Sequence, residues 1–563
     1  MTTKWTIKST PDLEVVQSFK ESLGVPPIIA TLLAQRDIST FEEAKLFFRP
    51  QLDHLHDPFL MKDMRVAVDR LHTAISNNEK ILVYGDYDVD GTTSVSMMHT
   101  FLKQISANAH YYIPDRYNEG YGVSFLGIDY ASQHNYSLII SLDCGIKANE
   151  KVDYANEKNI DFIICDHHRP GLTLPNAVAV LDPKREDCEY PYTELSGCGV
   201  GFKLIQAYCI DQNIEFEKIT HLMDLLAVSI AADIVPITGE NRVMAFYGLK
   251  QINTNPRPGL KALITASQRP KEEYVISDVV FGIAPRINAA GRIDHAKKAV
   301  ELLIETDYQL ALELAQLIEA NNKTRKELDA SITEEALQLV LPERKSTVVF
   351  KSDWHKGVIG IVASRVIEQY YRPTIVLTEN KGFLVGSARS VSGFDVYNAI
   401  DACAHLVEQF GGHKYAAGLS IKKENLSLFI EAFEKAVSES ITEDQLHPEI
   451  LIDNTLDFNE IDHKTYRLIK QMAPFGPGNG RPVFITENIF DSGYGKAIGK
   501  DQTHLKLSIT DSKKSNKINA IGFGMAPKLD VTNGNQSFDI CYCIEENEWN
   551  GVVSLQLRLK DIK

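Results

Sequence analysis

Five short runs, apolar on both faces and separated by helical patterning, most constrain what this chain can fold into. They are "KILVYG" (80–85), "AHYYIP" (109–114), "YSLIISLDCG" (136–145), "DFIICDHH" (161–168) and "AVAVLDP" (177–183). Strands that are hydrophobic on alternate and intervening positions alike must be covered on both sides, which is the condition of a parallel sheet between helical layers. Such a sheet collects polar groups at the C-terminal ends of its strands, where ligands bind. Three of the five runs end in acids or histidines: Asp86 follows the first, Asp143 closes the third, and Asp166, His167 and His168 close the fourth.

The first of these ends is the most heavily charged. "GDYDVDGTTS" (85–94) places Asp86, Asp88 and Asp90 at alternate positions, and no Lys or Arg lies between Lys80 and Lys103. Like charges so close repel, and burying them is costly without a positive partner. A single DxDxD can be a helix-capping turn, but here Asp143, His167 and His168 join it from other strands, and "LLAVSIAADIVP" delivers Asp233 after an apolar helix. Mixed Asp and His ligands suit manganese, magnesium or zinc, and a set that draws on no Cys favours the harder ions. More carboxylates than one ion needs point to two ions, roughly 3.5–4 Å apart.

Length and charge limit the alternatives. At 563 residues the chain holds several domains. The eight cysteines form no CxxC pair, as expected of free thiols in a reducing cytoplasm. No apolar run is long enough to span a bilayer, and "MTTKWTIKSTPDLEVV" has no signal-like core. A net charge of −16, from 59 basic and 75 acidic residues, excludes a protein that coats nucleic acid over its whole surface. It leaves room for a local basic groove. "GCGVGFK" (197–203) and "GKAIGKD" (495–501) lack the spacing of nucleotide-binding glycine loops.

The organisation reads as an α/β chain in five parts. Residues 1–75 are an N-terminal helical region and 76–240 the parallel-sheet domain. Residues 241–340 are a helical connector ending in a long polar helix, 341–440 a second α/β domain, and 450–563 a C-terminal β-barrel. The short strands and polar turns of the last part suggest an OB-like barrel.

"GDYDVDGTTS", "SLDCGI", "DHH" and "AADIVP", in this order, resemble the four motifs of the DHH phosphoesterase superfamily. "GIAPRINAAGR" (282–292), "GVIGIVASR" (357–365), "GSARSVSGFDV" (386–396), "GGHKYAAG" (411–418) and "PFGPGNGRPVF" (474–484) narrow the resemblance to the RecJ family of bacterial single-strand-specific exonucleases. That resemblance implies a DHH domain, a DHHA1 domain that binds substrate, and an OB-fold. It assigns the metals to Asp86, Asp88, Asp90, Asp143, His167 and Asp233, with Asp143 as the bridge and His168 contacting phosphate or supporting a ligand. Catalysis then rests on Asp88, Asp90, Asp143, His167, His168 and Asp233. In many relatives a histidine precedes the first motif; Tyr84 stands there, and Asp86 takes over as ligand.

Phosphate-gripping residues complete the expectation. Arg286, Asn288 and Arg292 lie at short spacing, Ser387 and Arg389 share a glycine-rich turn, Arg116 lies just beyond the second strand, and His413 sits among glycines. Basic residues interleaved with Tyr494 and Phe523, namely Arg481, Lys496, Lys500, His504, Lys506, Lys513, Lys514 and Lys517, fit single-strand binding. The resemblance implies 5′-to-3′ digestion of single-stranded DNA to 5′-mononucleotides in repair and recombination. Its implied partners are single-stranded DNA, with a single-strand-binding protein and a helicase beside it, and no membrane. Two other readings share the fold: a phosphodiesterase for short RNA or cyclic dinucleotides, and a non-catalytic replication scaffold.

Overall fold

Each of the five apolar runs forms a strand: β1 (Ile81–Gly85), β2 (Ala109–Tyr112), β3 (Leu138–Leu142), β4 (Asp161–Cys165) and β5 (Ala179–Leu181). They make one parallel sheet in the order β2-β1-β3-β4-β5. β1 and β3 are buried at every position, as a sheet covered on both faces requires. In this order the direction of winding reverses between β1 and β3, the point at which doubly wound sheets bind their ligands. The computed structural model describes residues 3–512, 516–532 and 536–563. Lys513 and Lys514 of the expected basic stretch lie outside the described residues.

One face of the sheet packs against helices α1 (Val89–Gln104) and α2 (Gly197–Asp211); α3 (Met223–Ala232) packs on those two, and α4 (Gly239–Thr254) on α3. A buried ion pair holds part of this layer. Lys203 on α2 donates to Glu240 on α4 (2.9 Å) and to the His56 carbonyl (2.7 Å), and both charged side chains are wholly inaccessible. Tyr190 donates to the other Glu240 oxygen at 2.6 Å, and the His56 amide donates to the first. The lysine of "GCGVGFK", a stretch without the spacing of a phosphate loop, is a core bolt. Farther on, α5 (Ala284–Ile293) carries the "APRINAAGR" residues, and a π-helical turn precedes it at Val279–Ile283.

The chain divides into two compact units, one of residues 49–325 with 474–480, the other of 1–48, 326–473 and 481–563. The expected N-terminal helical region is thus shared between them, and it opens with a strand, Lys4–Ile7, paired in parallel with Glu449–Ile452. Helix α6 (Tyr308–Gln338) runs 31 residues without a break, and the chain passes from one unit to the other within it. "PFGPGNG" returns to the first unit. Its Pro477 carbonyl accepts from Ile237 N–H (2.7 Å), and a Cβ on Gly476 would fall 2.6 Å from the Ile237 side chain.

The second unit holds a mixed sheet of β6 (Thr347–Phe350), β7 (Thr374–Asn380), β8 (Phe383–Arg389), β9 (Val407–His413) and β10 (Ala416–Ile421), in the order β9-β10-β8-β7-β6. Helix α7 (Ile359–Gln369) lies against β7 and β8. The closed ring of the C-terminal barrel is β11 (Phe484–Asp491), β12 (His504–Thr510), β13 (Ile518–Gly522), β14 (Phe538–Trp549) and β15 (Val552–Ile562), with two short strands, Asn454–Thr455 and Lys496–Ile498, paired outside it to β11 and β12. The ring runs β11-β14-β15-β13-β12, and pairing of β11 with β12 closes it. Five strands closed in this way are the barrel expected of an OB-fold.

Replacing Lys203 by Met should strand Glu240 in the core without its cation and cost about 3–5 kcal/mol. Urea unfolding measures this. Adding Glu240→Leu should recover much of the loss, and a single variant as stable as the parent would contradict the bolt.

Candidate metal centre

Asp86 leaves β1 fully buried, and neither of its carboxylate oxygens has a hydrogen-bond partner. Asp88 caps α1 by accepting the Gly91 N–H (3.0 Å) on one oxygen, which leaves the other available. Asp90, one residue into α1, meets the start of α2: Gly197 N–H donates to Oδ2 (2.7 Å), and Cys198 N–H (2.9 Å) and the Ser229 hydroxyl (2.6 Å) donate to Oδ1. The Ser94 hydroxyl also donates to Oδ1, at 3.4 Å, so Oδ1 is saturated and Oδ2, with one hydrogen bond, is the oxygen with a lone pair to spare.

Asp143 follows β3 in the left-handed region, φ 59°, a conformation that costs a non-glycine residue free energy and clusters at functional sites. Its Oδ2 is buried and unpartnered. The helix start beside it must be glycine, because a Cβ on Gly197 would lie 2.6 Å from the Asp143 Cβ.

His167, after β4, is buried with neither ring nitrogen hydrogen-bonded. Its Nε2 lies 3.3 Å from Asp143 Oδ1, 3.5 Å from Asp233 Oδ2 and 3.8 Å from Asp90 Oδ2. Asp233 ends α3, and Ile234 after it has a positive φ of 61°, unusual for a β-branched side chain. Two ligand groups emerge, Asp86/Asp88/Asp143 and Asp90/His167/Asp233, each with its donor atoms within 4.8 Å of one another. Asp143 also groups with His167 and His168, which places it between the two sets.

Asp166 plays a different part. Its Oδ1 accepts from the His167 amide (2.8 Å), the His168 amide (3.2 Å) and His168 Nδ1 (2.7 Å), and its Oδ2 from Ile146 N–H (2.9 Å). Burial would raise its pKa, but these hydrogen bonds and the histidine charges bring it down to about 2. Burial lowers His168, yet the Asp166 bond and the surrounding carboxylates raise it to about 9. With Nδ1 thus occupied, Nε2 lies 3.3 Å from the Tyr121 hydroxyl.

The other acids are pushed the opposite way. Burial, then Asp88, raises Asp86; burial, then Asp90 and Asp88, raises Asp143; burial, then Asp90, raises Asp233 to about 8. Orphaned buried oxygens and nitrogens, converging carboxylates and raised acid pKa values together describe a donor set suited to divalent cations. Asp86, Asp88, Asp90, Asp143, His167 and Asp233 are the residues that fit them.

The expected phosphate contacts separate into three groups. Arg116 stacks on the Tyr87 ring, 4.5 Å from its centroid, and acts electrostatically on Asp86. The α5 end carrying Arg292 packs there too, since a Cβ on Gly291 would lie 3.0 Å from the Tyr87 carbonyl. Asn288 is half-buried on α5. Arg286 is buried and bonded to Glu319 (2.5 Å) and the Gly282 carbonyl (2.5 Å), so its donors serve the fold. Ser387, Arg389 and His413 lie in the other unit, where Arg389, Ala416 and His413 are cross-strand neighbours on β8, β10 and β9. Arg389 donates to Ser387 Oγ (3.0 Å), and burial lowers its pKa. A Cβ on Gly360, at the start of α7, would fall 2.9 Å from that Oγ, so only glycine leaves the helix end open to it.

Asp182, Lys184 and Tyr121 lie in none of the motifs that mark the ligands. Asp182 ends β5 in the pattern of Asp143 and Asp166, and that repetition was its signal.

Residues 80–230 match the DHH family N-terminal domain, 343–439 the DHHA1 domain and 452–561 the RecJ OB domain. The chain is 37% identical over 563 residues to the single-stranded-DNA-specific exonuclease RecJ of Bacillus subtilis, covering 99% of this chain and 70% of that one. It is 31% identical to the Escherichia coli protein of that name, over 96% of each. The crystal structure of RecJ in complex with Mn2+ from Thermus thermophilus superposes with a TM-score of 0.85 at 26% identity, covering 100% of this chain and 79% of that chain. A further structure, of exonuclease RecJ bound to manganese, gives a TM-score of 0.61 at 31% identity, over 70% of this chain and 97% of that one.

The raised acids give the metal-free protein a definite pH response. An acid with a higher pKa in the folded state binds more protons folded than unfolded, so stability falls as pH rises. This penalty begins near the ordinary carboxylate value of about 4 and grows until Asp233 ionises at about 8. Divalent cations remove it, so the rise in Tm on adding Mg2+ to metal-free protein should be larger at pH 8 than at pH 6. Scanning calorimetry at the two pH values checks this; equal rises would contradict it.

Proposed function

The chain belongs to the RecJ family, and from that premise we propose that it digests single-stranded DNA from the 5′ end, releasing 5′-mononucleotides. It is a metal-dependent single-strand exonuclease of the DHH superfamily. The observation that carries the reading is the buried cluster at the β1/β3 switch point, where Asp86, Asp143 and His167 keep unpartnered donor atoms. Divalent ions bound there supply an activated water and stabilise the attacking and leaving oxygens.

The chain's own residues supply the rest. Asp166 accepts from His168 Nδ1 and keeps the ring charged at neutral pH, so Nε2–H is a donor as well, beside the Tyr121 hydroxyl. That donor suits a phosphate oxygen or the oxygen that departs. Arg116 and Arg292 beside Tyr87 suit a phosphate near the cluster. Arg389, without a carboxylate partner among the described residues, suits a terminal phosphate, with Ser387 and the open start of α7 as further donors. His413, on the neighbouring strand pair, joins that group.

The barrel adds a stacking surface. Phe523 and Tyr494 are exposed, Arg558 lies 5.3 Å from the Phe523 ring and Lys517 5.5 Å from that of Tyr494, and His504 packs edge-on to Phe523. Aromatics paired with cations on an OB barrel suit single-stranded bases. A phosphodiesterase confined to dinucleotides has no use for such a surface. The setting we infer is DNA repair and recombination in the cytoplasm, on strands opened by a helicase and covered by a single-strand-binding protein. No helix among the described residues is long and apolar enough to cross a membrane.

Asp143→Ala should abolish digestion of 5′-labelled single strands in Mn2+ or Mg2+ while leaving strand binding within a few-fold. Near-normal turnover would refute the metal assignment, and label lost only from 3′-labelled strands would refute the polarity. Replacing both Phe523 and Tyr494 by Ala should weaken binding of long strands by about 1–3 kcal/mol per lost stack. Filter binding measures this, and unchanged affinity would remove the barrel from the interface.

A further inference from the structure

One edge of the parallel sheet has as yet no role in binding a strand. The edges are β2 and β5. Arg116 follows β2, the acidic cluster lies over β1, β3 and β4, and Lys184 follows β5. Lys184 stands on a rigid turn. Its amide donates to Asp182 Oδ1 at 2.7 Å, and Asp182 is buried, with its other oxygen unpartnered. The next residue, Arg185, is clamped by Asp63 (2.6 Å), Asp187 (2.7 Å) and the Val180 carbonyl (2.6 Å).

The Lys184 side chain is half-buried, and among the described residues it forms no ion pair and no hydrogen bond. Lys184 stands three residues past β5, at the same edge of the sheet as His167 after β4, and its charge acts on His167, Asp182 and Asp233. A lysine meant only to neutralise these acids would close onto one of them. This one keeps its three donors available beside a site built for phosphodiesters. Along the C-terminal edge of the sheet the order is therefore cation, acidic pocket, cation, spread over four strand intervals, or roughly 19 Å. A strand laid along that edge can present a phosphate at each.

We propose that Lys184 holds the backbone phosphate next to the scissile one, on the side away from Arg116, and so favours substrates that extend beyond the bond being cut. The proposal rests on the exonuclease reading. It makes Lys184 a specificity-determining residue and gives the strand a direction across the sheet, from the β2 edge to the β5 edge.

Steady-state kinetics on 5′-phosphorylated di- and trideoxynucleotides test it. The dinucleotide has a terminal and a scissile phosphate, and the trinucleotide adds the one assigned to Lys184. Wild-type protein should prefer the trinucleotide. In Lys184→Met the ratio of kcat/KM for the trinucleotide to that for the dinucleotide should fall about tenfold, mainly through KM, as loss of one charge-assisted hydrogen bond implies. Lys184→Arg should restore most of the ratio, and an uncharged methylphosphonate at the added position should erase the difference between wild type and Lys184→Met. An unchanged ratio, whether both substrates suffer equally or neither does, overturns the assignment. Wild-type protein that cleaves neither substrate nor longer strands overturns the exonuclease reading and the assignment together.

Discussion

Mutual repulsion among buried carboxylates is the constraint on which the rest of the first unit depends. Asp86, Asp88, Asp90, Asp143 and Asp233 converge where β1 and β3 diverge, and burial together with their neighbours' charges raises Asp86, Asp88, Asp143 and Asp233. A fold optimised for stability alone would fill such a place with apolar side chains, as it does a few ångströms deeper in the same strands. Here the sheet gives up stability to keep a high density of oxygen donors out of water. Only cations make that arrangement favourable.

The surrounding architecture holds these donors apart and aims them. Asp90 is fixed by the first amides of α2 and by Ser229, so it cannot turn toward its neighbours. Gly197 makes that approach fit, because any side chain would strike Asp143. Asp166 is drawn down to about 2, and its bond to His168, one of those that do so, orients that ring. Strain at Asp143 and Ile234, both with positive φ, marks where the backbone yields to the geometry of the site. Sheet order, helix ends and two strained residues thus act together on a space a few ångströms across.

Much of this was legible in the sequence because it obeys local rules. Doubly apolar runs of five residues read as strands of a parallel sheet, and an acid at the end of such a run reads as a ligand at the C-terminal edge. What escaped was set by packing between distant segments. Arg286 and Arg292 share one motif and one residue type, but Arg286 turns inward to Glu319, while the helix end carrying Arg292 packs beside Tyr87. No spacing rule separates them. Spacing ruled out a glycine loop at Lys203, but nothing local showed that its charge would be buried against Glu240. The N-terminal strand Lys4–Ile7 was invisible because its partner lies about 445 residues later in the chain. Asp182 was missed although it repeats the strand-end pattern, since the neighbouring motifs supplied ligands enough.

The central claim is that the switch-point cluster holds two divalent ions in two adjoining ligand sets. Anomalous diffraction at the manganese edge from crystals grown with Mn2+ measures it most directly. The account predicts two peaks, one within bonding distance of Asp90, His167 and Asp233 and one within bonding distance of Asp86, Asp88 and Asp143, with Asp143 between them. A single peak, or peaks bound by other residues, would contradict it.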